Sequence, residues 1–245
     1  MGRTVDVIKA TGEVEPFAEE KVINSLLRAG ASAELAQKIV SQVKPHLYPN
    51  IPTFEIYALV MKRLKKEQRG LAEKYNLKRA IMELGPSGYP FEKYVAEVLK
   101  VQNYRVQINQ LVTGKCVAHE IDIIAKNDKA YMIECKFHGQ VGGRTDVKVA
   151  LYTYARFLDV KNKGFDIPWL ITNTKLTQEA RAYALCVGMR VTSWDYPEEE
   201  SLRKMIDKSQ LHPITASTIL STQQKQALLE KGVVFCHQSE TNIGK

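Results

Sequence analysis

The spacing of apolar and polar residues divides the chain into three sections. Residues 5–17 alternate around Thr11-Gly12, which predicts a short, polar β-hairpin. Helical spacing follows. Val22, Ile23, Leu26 and Leu27 share one face, and Leu35, Ile39, Val40 and Val43 share another, with Ser32 placed to cap the second helix. Pro45, Pro49 and Pro52 interrupt the chain. A third helix is expected through Ile56, Tyr57, Val60 and Leu64 with Thr53 as its cap, and a fourth over about 71–84. Residues 1–86 thus read as a small helical domain preceded by a β-ribbon.

Gly85-Pro86-Ser87-Gly88 breaks the pattern. Phe91, Val95, Val98 and Leu99 predict an amphipathic helix, and 104–108 alternates as a strand should. Ile121 and Ile123, then Tyr131, Met132 and Ile133, read as two strands of a hairpin around 126–129. A helix over 145–158 leads to a buried strand at 167–172. Thr177 caps a further helix that Gly188 ends, and 191–194 forms a last strand. This alternation predicts a mixed α/β sandwich over 87–197. The tail, 198–245, reads as helical, with Leu202, Ile206 and a helix at 223–231. It is expected to pack on the α/β domain.

Composition narrows the class. With 245 residues the chain can bury one large core or two small ones. No apolar run reaches the roughly 18 residues a membrane span needs. The opening MGRTVDVIKATGE is polar for a signal peptide, so a cytoplasmic protein is expected. Cys116, Cys135, Cys186 and Cys236 are widely spaced, which argues against a zinc finger or a disulfide scaffold. All four read as small, buried or half-buried hydrophobes. The net charge of +8 favours phosphate-rich partners.

The candidate chemistry lies in His119-Glu120-Ile121-Asp122-Ile123-Ile124 and in Glu134-Cys135-Lys136, with eleven residues between Asp122 and Glu134. Glu134 and Lys136 point to one face of a strand because side chains alternate. An aspartate on the preceding strand can join them. Paired carboxylates repel, and a hard cation such as Mg²⁺ or Mn²⁺ relieves that repulsion. A neighbouring lysine can hold a water and offset charge developing on phosphorus. There is a register condition: a two-residue turn would set Asp122 opposite Ile133, whereas an odd count, or a bulge, sets it on the face of Glu134.

Together with the 88–99 helix, these residues resemble the PD-(D/E)XK nuclease fold, most nearly the Mrr-type restriction endonuclease catalytic domain. The resemblance spans roughly 87–195. It implies a metal-dependent DNA endonuclease in restriction or repair, with Asp122 and Glu134 as metal ligands and Lys136 positioning the nucleophile. Glu92, in the Phe91-Glu92 pair, joins the metal site in that family. Ile121 stands where many relatives carry proline. Arg144, Lys148 and Arg156 are candidates for DNA phosphates, with a solvated face as the alternative for Arg156. His119 and His138 read as bystanders, and Tyr152 and Tyr154 as packing residues.

The first section has its own resemblance. Val7-Ile8-Lys9-Ala10-Thr11-Gly12, Glu15, Phe17, Lys21 and Thr53 are similar to the ATP-cone, a nucleotide-sensing module. That implies ATP or dATP as an effector, held by Lys9, Lys21 and the helix N-terminus at Thr53. Ala10 stands where the family carries arginine, removing one phosphate or base interaction. The fold class expected is a small helical ATP-cone-like domain (1–86), a restriction-endonuclease-like mixed-sheet α/β domain (87–197) and a helical extension (198–245). DNA is the expected partner, and double-strand cleavage would favour a homodimer. The competing reading is a catalytically silent protein that binds nucleic acid or senses nucleotide.

Overall fold

The computed structural model describes residues 5–9, 11–140 and 142–236. The chain forms two compact units, Met1–Arg79 with Ala216–Leu220, and Ala80–Thr215 with Ser221–Lys245.

In the first unit, β1 (Asp6–Ile8) pairs antiparallel with β2 (Val14–Pro16). Gly12 takes the left-handed turn between them, at φ +84°. Two helices follow, α1 (Glu19–Arg28) and α2 (Ala33–Val43). Ser32 caps α2 as expected, its hydroxyl accepting from Leu35 N at 3.2 Å. The chain returns through β3 (Ile51–Pro52), parallel to β1, into α3 (Thr53–Glu67) and α4 (Arg69–Met82). Val7, Leu26, Ile39, Val40, Ile51, Val60 and Leu64 meet in one core. Thr53 is not the cap of α3. Pro52 holds that position with no side-chain acceptor, and Thr53 is the first helical residue. The rigid φ of proline orients the helix start here in place of a hydroxyl.

The second unit opens with α5 (Tyr89–Val101), whose Phe91, Tyr94, Val95, Val98 and Leu99 are buried. The meander β4 (Arg105–Thr113), β5 (Ala118–Lys126) and β6 (Ala130–Lys136) is antiparallel. A short β7 (Arg144–Thr145) leads into α6 (Val147–Val160), which crosses over to β8 (Ile167–Thr172). Then come β9 (Lys175–Leu176), α7 (Gln178–Cys186) and β10 (Arg190–Thr192). The main sheet has the order β10-β8-β6-β5-β4, with β6, β8 and β10 parallel, while β7 and β9 form a separate ribbon. Parallel neighbours need a crossover, and α6 and α7 supply it. Such strands are covered on both faces, which explains the unbroken apolar run of β8.

Two helices complete the unit, α8 (Leu202–Ser209) and α9 (Thr222–Glu230). The tail packs on α5: Tyr94 Oη donates to Leu211 O at 2.5 Å, and Lys93 Nζ to Gly232 O at 2.7 Å. Residues 216–220 depart from the expectation and join the first unit, where Thr218 Oγ1 donates to Glu73 at 3.3 Å. Nor are all four cysteines buried or half-buried. Cys135 is buried and Cys236 partly so, but Cys116 and Cys186 are exposed, one in the β4–β5 turn and one at the end of α7. Among the described residues, no helix is long and apolar enough to cross a membrane.

Candidate functional site

The turn between β5 and β6 decides the register. Lys126 pairs with Ala130, leaving Asn127, Asp128 and Lys129 as a three-residue turn. The odd count carries Ile123 opposite Ile133, so the next step sets Asp122 opposite Glu134. Asp122 Oδ2 accepts from Cys135 N at 2.8 Å, which ties it to the strand between Glu134 and Lys136.

On its other side Asp122 faces an interruption. The β4–β5 ladder pairs Ile108 with Ile123 and Gln110 with Ile121, but skips the pair Asn109/Asp122. Asn109 lies in the left-handed region at φ +50°, which swings its peptide groups out of the ladder. Its Nδ2 donates to Glu92 Oε2 at 3.1 Å. Glu92 lies in the first turn of α5, and a Cβ at Gly88 would come within 3.1 Å of its Oε1. Glycine leaves the carboxylate room. Asn109 was not singled out from the sequence, although an asparagine amid strand-forming residues marks a candidate left-handed position.

Glu134 has a partner the sequence reading placed elsewhere. Arg156 is buried, at 8% exposed, and one of its terminal nitrogens donates to the Glu134 carboxylate. The other donates to the Glu120 carbonyl, and the guanidinium lies 5.1 Å from the Tyr152 ring centroid. Arg156 therefore does not share an outer face with Arg144 and Lys148, both of which are exposed. Its spacing gives the reason: Ala150, Thr153, Phe157 and Val160 form the inward face of α6, and Arg156 falls on it. Tyr152, read as packing, is 57% exposed, whereas Tyr154 packs against Phe157 and Tyr183.

The three carboxylates feel one another. Burial, and then the charge of Asp122, push Glu134 up to about 7, against the pull of Arg156. Burial also raises Asp122, opposed by its bond from Cys135 N. Glu92 is raised by burial and by Asp122, and relieved in part by Asn109. Lys136 is exposed at the end of β6, paired in register with Thr172. Among the described residues, no group of three His, Cys, Asp or Glu side chains is arranged to hold a metal ion. The oxygen donors fit a hard cation that takes one or two carboxylates and keeps several waters, and not an all-protein cage.

The histidines have other partners. His119 Nε2 lies 2.8 Å from Asp159 Oδ2, and His138 Nε2 lies 3.0 Å from Thr145 Oγ1. In the first unit, Glu15 bridges the two lysines, 2.7 Å from Lys9 Nζ and 2.8 Å from Lys21 Nζ. Ile8 pairs with Pro52, so the next step brings Thr53 opposite Lys9. Lys9 and Lys21 thus meet at one carboxylate, and Thr53 begins the helix that follows the strand paired with β1. Ala10 lies outside the described residues.

Residues 5–83 match the ATP cone domain, and residues 85–199 match the family described as restriction endonuclease. An uncharacterized protein of Archaeoglobus fulgidus is 44% identical over 143 residues, which cover 58% of this chain and 81% of that protein. A crystal structure of a protein of unknown function is 42% identical, with a TM-score of 0.56, over 62% of this chain and 82% of that one. The chain belongs to the restriction endonuclease family over its α/β domain, with an ATP cone domain before it.

Proposed function

We propose that this protein is a metal-dependent DNA endonuclease acting in restriction or repair. The observation that carries this reading is the meeting of Asp122 with the Glu134-Cys135-Lys136 strand, with Glu92 close enough to share their charge. Buried acids that raise one another's pKa cost stability unless a cation or a reacting group uses them. Asp122 and Glu134 would hold Mg²⁺ or Mn²⁺, and Glu92 would act through a retained water. The cation, when bound, supplies Lewis-acid polarisation of a phosphoryl oxygen. Lys136, exposed and without an ion pair among the described residues, orients the attacking water and offsets charge on the phosphorane. Arg156 holds the Glu134 carboxylate in place. Arg144 and Lys148 would meet DNA phosphates.

The test is incubation of the purified chain with plasmid DNA in Mg²⁺, Mn²⁺ or EDTA, with and without ATP or dATP. Nicking or linearisation that needs the cation supports the assignment. Intact plasmid in every arm would favour a catalytically silent nucleic-acid-binding or nucleotide-sensing protein.

ATP or dATP is the proposed effector, because Glu15 brings Lys9 and Lys21 together and Thr53 opens α3 directly after the strand that pairs with β1. Glu15 bridges both lysines, and Glu13 also reaches Lys9 at 3.2 Å, so phosphates must compete with these carboxylates. In a calorimetric titration, Glu15→Gln should bind ATP more tightly than wild type, and Lys9→Ala/Lys21→Ala should bind none. Equal heats from all three proteins would remove this pocket from nucleotide binding. Two-fold pairing of catalytic domains would account for double-strand cleavage, and sedimentation with duplex DNA reads it directly.

A further inference from the structure

The net charge of the chain is not spread over it. Residues 62–79 carry eight Lys or Arg against Glu67 and Glu73, which is +6 of the overall +8. This stretch is the end of α3 and most of α4, within the first unit. The two helices pack together through Tyr57, which stacks on Tyr75 with centroids 5.5 Å apart. Lys62, Lys65, Lys66, Arg69 and Lys74 are exposed and enter no ion pair among the described residues. Glu67 is already engaged by Lys38, at 2.8 Å, and Glu73 by Thr218.

Helix electrostatics explain only part of this. Lys65 and Lys66 sit in the last turn of α3, where the dipole favours cations. Arg69 begins α4, at the end where the dipole opposes a cation, and Lys62 and Lys74 lie away from either favourable terminus. Nor does the arrangement suit one nucleotide. Lys62, Lys65 and Lys66 share one face of α3 over ~6 Å of its axis, and Arg69 and Lys74 add cations ~7.5 Å apart along α4, so the charge extends along the helices. A row of unpaired cations matches a linear polyanion. Duplex DNA presents one charge per ~1.7 Å of its axis and releases counterions to each cation that replaces them.

We propose that the basic α3–α4 surface of the ATP cone unit binds the DNA backbone, independent of sequence, and adds affinity for the substrate. This inference rests on DNA being the substrate, but its test does not need cleavage.

The test uses the full chain with a short fluorescent duplex in EDTA, followed by anisotropy from 50 to 200 mM salt. The variant carries Lys62→Gln, Lys65→Gln, Lys66→Gln, Arg69→Gln and Lys74→Gln. Each phosphate left without its cation should lower the log–log salt slope by about 1, so the slope should fall by about 3 to 5 and the affinity by roughly 30-fold or more. All five side chains are exposed, so the thermal transition should stay with wild type. A second variant with arginine at the four lysine positions should keep the slope, which separates lost charge from lost fold. An unchanged slope in the glutamine variant would overturn the proposal. So would phosphatidylserine vesicles that compete with the duplex on equal terms, since the surface would then be a general anion surface. Binding that behaves as stated in a chain that never cuts DNA would sink the nuclease reading and leave this one intact.

Discussion

Arg156 on α6 and Glu134 on β6 form a buried ion pair within the proposed site, their side chains 9% and 16% exposed. The same guanidinium holds the Glu120 carbonyl of β5, so one side chain spans two strands and the helix above them. A guanidinium cannot lose its proton, so this cation stays at every pH the fold tolerates. The positive charge beside Glu134 is therefore placed by the crossover helix and not by the strands that carry the acids.

Arg156→Met should destabilise the fold by ~3 kcal/mol, because it strands a buried carboxylate without its partner. Urea denaturation measures this. The double variant Arg156→Met/Glu134→Leu should recover most of the loss, since an apolar pair replaces an ionic one. A single variant as stable as wild type would show the pair to be dispensable.

Stability should also fall with rising pH. Glu134 is pushed up to about 7 from its ordinary 4.5, and Asp122 and Glu92 shift the same way. An acid with a raised folded pKa binds its proton more tightly when folded. The stabilisation is complete below the unfolded value and is lost as pH climbs from about 4.5 through about 7. Melting temperatures in EDTA across that window read the effect, and Glu134→Gln should flatten it. A profile that rises instead would contradict the shared burial of these acids.

Asn109 separates backbone from side chain. Glycine tolerates φ +50°, so Asn109→Gly should fold normally yet release Glu92, whereas Asn109→Ala should cost ~1–2 kcal/mol through left-handed strain. Thermal melts compare the two. Cleavage at saturating DNA should fall in both, and equal stability of both variants would remove the strain argument.

Asp122→Asn and Lys136→Gln should each lower the cleavage rate by ~100-fold or more while leaving DNA affinity near wild type. Backbone binding is spread over many cations, so replacing one site residue changes it little. Rates from single-turnover assays with labelled duplex decide it. Full activity in either variant would take that residue out of the mechanism.

The sequence by itself determined what depends on period and on local chemistry. Alternation located the strands bearing Asp122 and Glu134, helical spacing located α2 and α5, Thr177 and Gly188 bracketed α7, and Ser32 and Thr177 announced the caps of α2 and α7. Glu134 and Lys136 share a face by covalent geometry alone. Only the tertiary structure decided what joins distant segments. The register of β5 against β6 rests on a three-residue turn, and no single-sequence pattern fixes that length. Asn109 and Glu92 meet across α5 and β4, and Arg156 turns inward because the buried face of α6 is wide enough to include it. Thr53 has the side chain of a cap yet lies inside α3 for a related reason, since the preceding proline sets the helix direction. Spacing along the chain reports which face a residue takes within its own element. Which charge it meets there is settled by packing between elements, where burial makes an unpaired charge costly and so selects its partner.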